Sequence, residues 1–326
     1  MKLTLTIQIL FGIVLLHVVQ CSFAQDAYFS QYNSFPLHLD KALAGSAGGP
    51  RIVAGTRLQW LNFDGGYRTN YFSYDQYSRH IKSGFGVEYY HGDESNGLIK
   101  NNFIYLTFSP TISLGKRLDD SLKQFVIKPA VNVGYLNYSV DFSRLSFGDN
   151  IDPGYGFIYN SSEIQNAKTV AAPDFGAGLA VYGKTFFAGF YYHHILQPEL
   201  AFLFEGSFLF SRIVFHGGYL LNKKWLGKFT LVPSFVYEIQ GSSTRTEISL
   251  SAKYKKYIFG MSEHFTSSVV FMAGFEHQFL TIRYAYDLNT TRISKIVGPT
   301  HEILLGFKFA RREKLKKIRT LQFLGM

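Results

Sequence analysis

The chain has 326 residues, 47% hydrophobic and 17% charged, with 32 Phe, 22 Tyr, 30 Gly and a single Cys. High apolar content with little charge excludes a disordered chain, and the lone Cys excludes a disulfide scaffold and a cysteine-ligated zinc site. The formal charge of +10 suits nucleic acid, anionic lipid or an acidic protein, so its location along the chain has to decide.

Met1 to Ala24 predicts a secretory signal peptide. Lys2 gives a positive start, Ile9 to Val19 is an apolar stretch, and Ser22-Phe23-Ala24 is a small-x-small cleavage site ahead of Gln25. Gln20 stands where a lipobox before Cys21 wants a small residue, which argues against lipidation. Export past this point argues against a nucleic-acid partner. Residues 25–50 follow as a segment expected in the periplasm. After them no run of about 18 apolar residues occurs. The richest stretch, Phe186 to Phe210, is broken by Gln197, Pro198, Glu199 and Glu205.

From residue 51 onward the pattern has period two. Ile104, Leu106, Phe108, Ile112 and Leu114 share one face, against Tyr105, Thr107, Ser109, Thr111 and Ser113. Ile248, Leu250 and Ala252 alternate with Glu247, Ser249, Ser251 and Lys253, and Ile303, Leu305 and Phe307 with Glu302 and Lys308. Segments of about 9–12 residues with aromatic ends suit a bilayer crossing by tilted strands. The expected fold class is all-β: an antiparallel transmembrane β-barrel of the outer membrane spanning 51–310, with about 14 strands. The strands fall near 51–61, 68–78, 82–92, 101–115, 123–142, 174–183, 185–194, 206–221, 228–240, 244–255, 257–265, 268–277, 279–288 and 301–310. With the N-terminus periplasmic, the long connections 93–100, 143–173, 195–205 and 289–300 lie outside the cell and short turns lie inside. Residues 311–326 form a basic periplasmic tail.

Several segments follow one series of motifs. Gln25-Asp26-Ala27-Tyr28-Phe29-Ser30-Gln31-Tyr32 is similar to QDPxFSQY, and Pro36-Leu37 through Ala42-Leu43-Ala44-Gly45 to NPLxxNPAxAG. Arg57-Leu58-Gln59-Trp60 resembles RxQW. Leu145-Ser146-Phe147-Gly148-Asp149 with Asp152-Pro153 and Gly156-Phe157 resembles LxFGDxxDPxxGF, and Tyr286-Asp287 with His301-Glu302-Ile303 a closing YD…HEI. In this order the segments resemble the PorP/SprF family of type IX secretion outer-membrane proteins. The chain departs from the family pattern at Ala27, Phe35 and Asp40-Lys41. The resemblance implies a non-enzymatic role in protein export, in some members for adhesins used in gliding motility. Implied partners are outer-membrane lipid, periplasmic type IX secretion ring proteins and a secreted cargo or adhesin. The competing reading is an outer-membrane porin or small-molecule transporter.

No Gly-x-Ser-x-Gly elbow, phosphate-binding Gly loop or His-Glu-x-x-His motif occurs, so no catalytic residue, metal site or cofactor is expected. His193 and His194 are adjacent on a predicted strand, which would point them to opposite faces. Around Asp149 and Asp152, Ile151 takes the place of a calcium ligand, so a turn is expected. Candidate partner contacts are Phe29, Ser30, Gln31 and Tyr32 in the N-terminal segment and Arg311, Arg312, Lys314, Lys316 and Lys317 in the tail. In the 143–173 loop they are Phe147, Gly148, Asp149, Asp152 and Pro153, over the barrel mouth or against cargo. Lys128, Glu247, Lys253, Arg283, Asp287, Glu302 and Lys308 are expected to face the lumen, as a solute path or as paired charges filling a closed barrel. Basic residues gather at the periplasmic rim and acidic ones in the outward loops.

Overall fold

The computed structural model describes residues 26, 28–114, 125–145, 147–152, 154–157, 167–202, 206–221, 229–265, 267–292 and 294–309. Fourteen antiparallel strands make the wall. They are β1 (Arg51–Gln59), β2 (Tyr67–Ser78), β3 (Ser83–Glu94), β4 (Ile99–Pro110), β5 (Phe125–Asp141), β6 (Ala167–Tyr182) and β7 (Phe186–His193). Then follow β8 (Arg212–Tyr219), β9 (Phe229–Gln240), β10 (Ser243–Tyr254), β11 (Tyr257–His264), β12 (Ser268–His277), β13 (Leu280–Asn289) and β14 (Thr300–Lys308). Each strand pairs with the next in chain order. β1 also pairs with β14, from Arg51↔Lys308 to Leu58↔His301, which closes the sheet into a barrel.

Alternation sorts each strand between two environments. On β4, Ile104, Leu106 and Phe108 point out, Leu106 with 56% of its surface exposed, while Tyr105, Thr107 and Ser109 are buried. On β10, Ile248 and Leu250 point out and Glu247 and Ser249 point in. A wall that is apolar outside and polar within suits lipid around it and side-chain partners inside. Tyr219, Phe229, Tyr257 and Phe279 are exposed around one rim, as an interfacial aromatic girdle requires.

That rim carries both the lead-in to β1 and the end of β14, the end that the expected topology places in the periplasm. Its turns at 79–82, 183–185, 255–256 and 278–279 are short, and the opposite end carries the long connections 142–166, 194–211 and 290–299. Two periplasmic connections, 111–124 and 220–228, are longer than expected, and the outward turn 241–242 is very short. The expected strand 101–115 breaks at Thr111, because Pro110 offers no amide hydrogen to continue the ladder. Ile112–Leu114 resumes against the first residues of β5.

The described residues of the 26–50 segment are not outside this wall. They run through its lumen, from Asp26 at the outward end to Pro50 at the periplasmic end, and most of their side chains are buried. The segment is built of short turns: Tyr32–Ser34, one α-helical turn Pro36–Leu39, and Lys41–Leu43. Pro36 opens the helical turn, where its missing amide hydrogen costs nothing. The Asp40 carboxylate caps the next turn by accepting from the Ala42 amide at 2.7 Å. Gly45, at φ +72°, lets the backbone lie against β3, where a side chain would strike the Gly84 Cα. The expected periplasmic segment over 25–50 is thereby corrected. Its apolar residues Phe29, Leu37, Leu39 and Leu43 are fully or almost fully buried against the wall, which removes them from water.

Candidate functional site

The lumen holds a column of charges contributed by alternate positions of the strands, paired partly with one another and partly with the plug segment. At the periplasmic end, Arg51 of β1 forms a two-nitrogen pair with Asp75 of β2, Nε to Oδ1 at 2.7 Å and Nη2 to Oδ2 at 3.0 Å. The Gly45 amide donates to the same carboxylate at 2.7 Å. Arg51 also donates to the Leu43 carbonyl oxygen at 3.3 Å, so wall and plug share one knot. Both charges are buried, which is tolerable only while each keeps its partner.

Midway, Lys41 meets Glu88 of β3 at 2.5 Å and Asp40 meets Nε2 of His216 on β8 at 2.8 Å. Lys41 also stacks over the Tyr105 ring at 4.1 Å. Arg283 of β13 donates to the Ser34 hydroxyl at 2.7 Å, and the Tyr32 hydroxyl lies 3.0 Å from both Ser234 and Ser249. Higher up, Glu302 of β14 accepts from the backbone amides of Ser30 and Gln31, at 2.8 and 3.0 Å. Arg57 of β1 bridges Glu302, Asp287 and the Ser30 hydroxyl. At the outward end Asp26 meets Nε2 of His194 at 2.7 Å and Arg212 at 3.3 Å, and its amide donates to Gln240 at 2.9 Å.

Between these ties the packing is apolar and aromatic. Phe29 and Phe35 stack at 4.0 Å and join Val53, Tyr71 and Leu304. Gly55 leaves room for the Phe35 ring, since a Cβ there would sit 2.6 Å from it. Ala42 and Leu43 pack with Val126, Tyr182, Phe187 and Tyr191. The arrangement fills the barrel with charge pairs, hydrogen bonds and close packing.

The expected partner contacts are thus divided. Phe29, Ser30, Gln31 and Tyr32 are brought together, but inside the lumen, with their backbone and side chains engaged by the wall. They are not available to a soluble partner in this conformation. Phe147, Gly148, Asp149 and Asp152 lie in the outward loop apart from the plug. Asp152 accepts from the Gly154 and Tyr155 amides at 2.7 and 2.9 Å, forming a turn. Pro153 and the tail residues Arg311, Arg312, Lys314, Lys316 and Lys317 lie outside the described residues. Of the charges expected to face the lumen, Lys128, Glu247, Arg283, Asp287 and Glu302 are buried there.

Two lumen arrangements were hidden from the linear sequence. His193 and His194 do not point to opposite faces: β7 ends at His193 and His194 turns with φ +53°, so both rings enter the lumen, 6.1 Å apart. The second is a row across β10, β11 and β12. Ser268 lies 3.1 Å from Nδ1 of His264, whose Nε2 lies 2.6 Å from Glu247. Cross-strand register aligns all three, so the signal lay in strand pairing rather than in spacing. The three residue types are those of a hydrolase triad, but the ring nitrogens are exchanged, with Nδ1 toward the serine and Nε2 toward the carboxylate. Here Ser268 keeps only 5% of its surface exposed and the Tyr28 ring stands edge-on to His264 at 5.3 Å, which leaves a substrate carbonyl no approach.

The family described as type IX secretion system membrane protein PorP/SprF matches residues 21–307. No curated protein matches the chain. Among solved structures it is similar to the outer membrane protein Omp33 of Acinetobacter baumannii, with 6% identity, 80% of this chain and 98% of that one covered, and a TM-score of 0.45. It is also similar to the P. putida toluene transporter TodX, with 9% identity over 86% and 93% of the two chains and a TM-score of 0.43. For the CymD monoaromatic hydrocarbon channel the values are 10%, 84%, 94% and 0.42.

Proposed function

This chain belongs to the PorP/SprF family of type IX secretion system membrane proteins, and from that premise we propose that it is a closed outer-membrane barrel that holds cargo or machinery by its two faces and passes nothing through its lumen. The observation that carries this reading is the lumen itself, filled from Asp26 to Pro50 and tied to the wall at every level. Cargo export or surface anchoring, with a gliding adhesin as one such cargo, then depends on contacts at the rims.

On the periplasmic side Arg79, Lys82, Lys184, Lys255 and Lys256 lie in the exposed turns. They and the basic tail with Lys314, Lys316 and Lys317 favour an acidic face on a periplasmic ring protein, where complementary charge speeds and orients encounter. On the outward side the loop with Phe147, Asp149 and Asp152 is placed to meet cargo. Cleavage of the signal peptide after Ala24 frees the start of the plug. The alternative, a porin or small-molecule transporter, needs a continuous path, and the plug stands in it.

Deleting the gene and comparing surface proteins with solute uptake tests the reading. Loss of an exported surface protein with uptake unchanged is expected. Normal surface proteins with a defect in uptake would favour the transporter. Reversing Lys314, Lys316 and Lys317 to Glu is expected to lower recovery of periplasmic partners with the barrel, while leaving insertion intact.

A further inference from the structure

The start of the plug is held to the wall through one imidazole. Asp26 of the plug and Asp174 of β6 flank the His194 ring, Nε2 lying 2.7 Å from Asp26 Oδ2 and Nδ1 2.8 Å from Asp174 Oδ2. Each contact needs a hydrogen between nitrogen and oxygen. A carboxylate at neutral pH brings none, so the ring supplies both and is an imidazolium. Its position comes from a left-handed backbone at φ +53°, just past the end of β7 in the outward connection.

The charges around this ring balance only while it is protonated. Lys41 of the plug pairs with Glu88 of β3, which His38 also faces at 3.4 Å, and Arg245 pairs with Glu238 of β9. His193 accepts from Arg212 of β8 through Nε2 and is therefore neutral. Tyr90 stands beside them, and Tyr105 of β4 donates its hydroxyl hydrogen to Asp174 at 3.0 Å. What remains is Asp26 and Asp174 against His194 and Arg212, the last reaching Asp26 at 3.3 Å. Without the His194 proton, two buried carboxylates share one guanidinium, and a ring lone pair faces one of them. The Oδ1 atoms of both carboxylates have no hydrogen-bond partner among the described residues, so neither has a second hold there.

The periplasmic knot differs in kind. It rests on Arg51, and a guanidinium keeps its charge at every pH the protein meets. We propose that His194 is a proton-dependent latch: charged, it holds Asp26 to the wall, and on losing a proton it releases the outward part of the plug into the vestibule, a cavity of about 470 Å³ floored by Asp26 and Tyr28, while the periplasmic part stays in place. Burial works against the charged ring, but Asp26 and Asp174 outweigh it and lift His194 from the ordinary 6.5 to about 9. Holding the plug thus raises proton affinity, so the hold is full below the ordinary imidazole range and is lost as pH rises through about 9. The inference rests on the plug and does not depend on the secretion role.

The test uses the full barrel in detergent micelles. Amide hydrogen exchange of residues 28–33, read by mass spectrometry and corrected for the intrinsic rate, would be followed from about pH 7 to about 9.5 beside exchange in β4. Protection of 28–33 is expected to fall about tenfold or more across that range, while β4 keeps its own. His194→Gln, shown folded by heat-modifiable gel mobility, is expected to have lost that protection already at neutral pH and to show no further step. Nitrogen NMR of the His194 ring, assigned by its absence from the variant, is expected to show both nitrogens protonated at neutral pH. The proposal fails if the ring is neutral there, if the parent's protection is flat across the range, or if His194→Gln keeps the parent's protection or its step.

Discussion

Wall and plug occupy the same few nanometres and are held by different forces. In the wall, backbone hydrogen bonds join each strand to two neighbours, and the lipid-facing side chains need only be apolar. In the plug, none of the described residues from 26 to 49 pairs in the sheet, and position depends on named contacts: Asp75 with Arg51 and Gly45, Glu88 with Lys41, Glu302 with Ser30 and Gln31. The difference teaches that the wall tolerates exchange and the plug does not. It also divides the molecule, since the wall presents apolar side chains outward while the plug occupies the lumen.

The contrast can be broken most directly by removing residues 26–49 while keeping the signal peptide. The wall is expected to insert and to give large, stable openings in planar bilayers, where the intact protein stays closed. If the intact protein already conducts to the same extent, the plug is not a seal.

Next in size is Asp75→Ala, which strands a buried Arg51. The expected loss is about 3–5 kcal/mol in denaturant unfolding from lipid vesicles. Pairing Arg51→Met with Asp75→Leu is expected to lose much less, because no charge is left unpaired. Gly84→Ala comes third. Its Cβ would overlap the Ala44 carbonyl oxygen, at an expected cost of about 1–3 kcal/mol by the same measurement. Smallest is Leu106→Ile on the lipid face, expected to stay within about 0.5 kcal/mol of the parent. A larger change there would erase the distinction between the two regions.

The wall was legible because period-two alternation is a local property. Ile104 and Leu106 against Tyr105 and Thr107 declare both strand and face within four residues. The break at Thr111 follows Pro110, a residue that marks it in the sequence. The plug has no period, and its partners are hundreds of positions away, so nothing local says whether it hangs in water or threads a pore. Two hints were present. Phe29, Leu37, Leu39 and Leu43 are too apolar for an exposed segment, and Arg57, Glu247, Asp287 and Glu302 needed partners inside. The departures from the family pattern are informative in the same way: Phe35, Asp40 and Lys41 all make lumen contacts in this chain. His194 misled because alternation holds only while a strand lasts. The Ser268–His264–Glu247 row and the vestibule both required the register of several strands at once.

The bond from the Ser30 amide to Glu302 spans 272 positions, and its acceptor sits on the final strand. Assembly therefore has an order in time. The earliest part of the exported chain cannot find its last tether until the whole polypeptide has arrived and β14 has met β1. Contacts of such separation make folding slow. They also make closure of the seam and completion of the plug one event. A chain truncated before residue 300 would lack both the β14 side of the seam and the Glu302 tether.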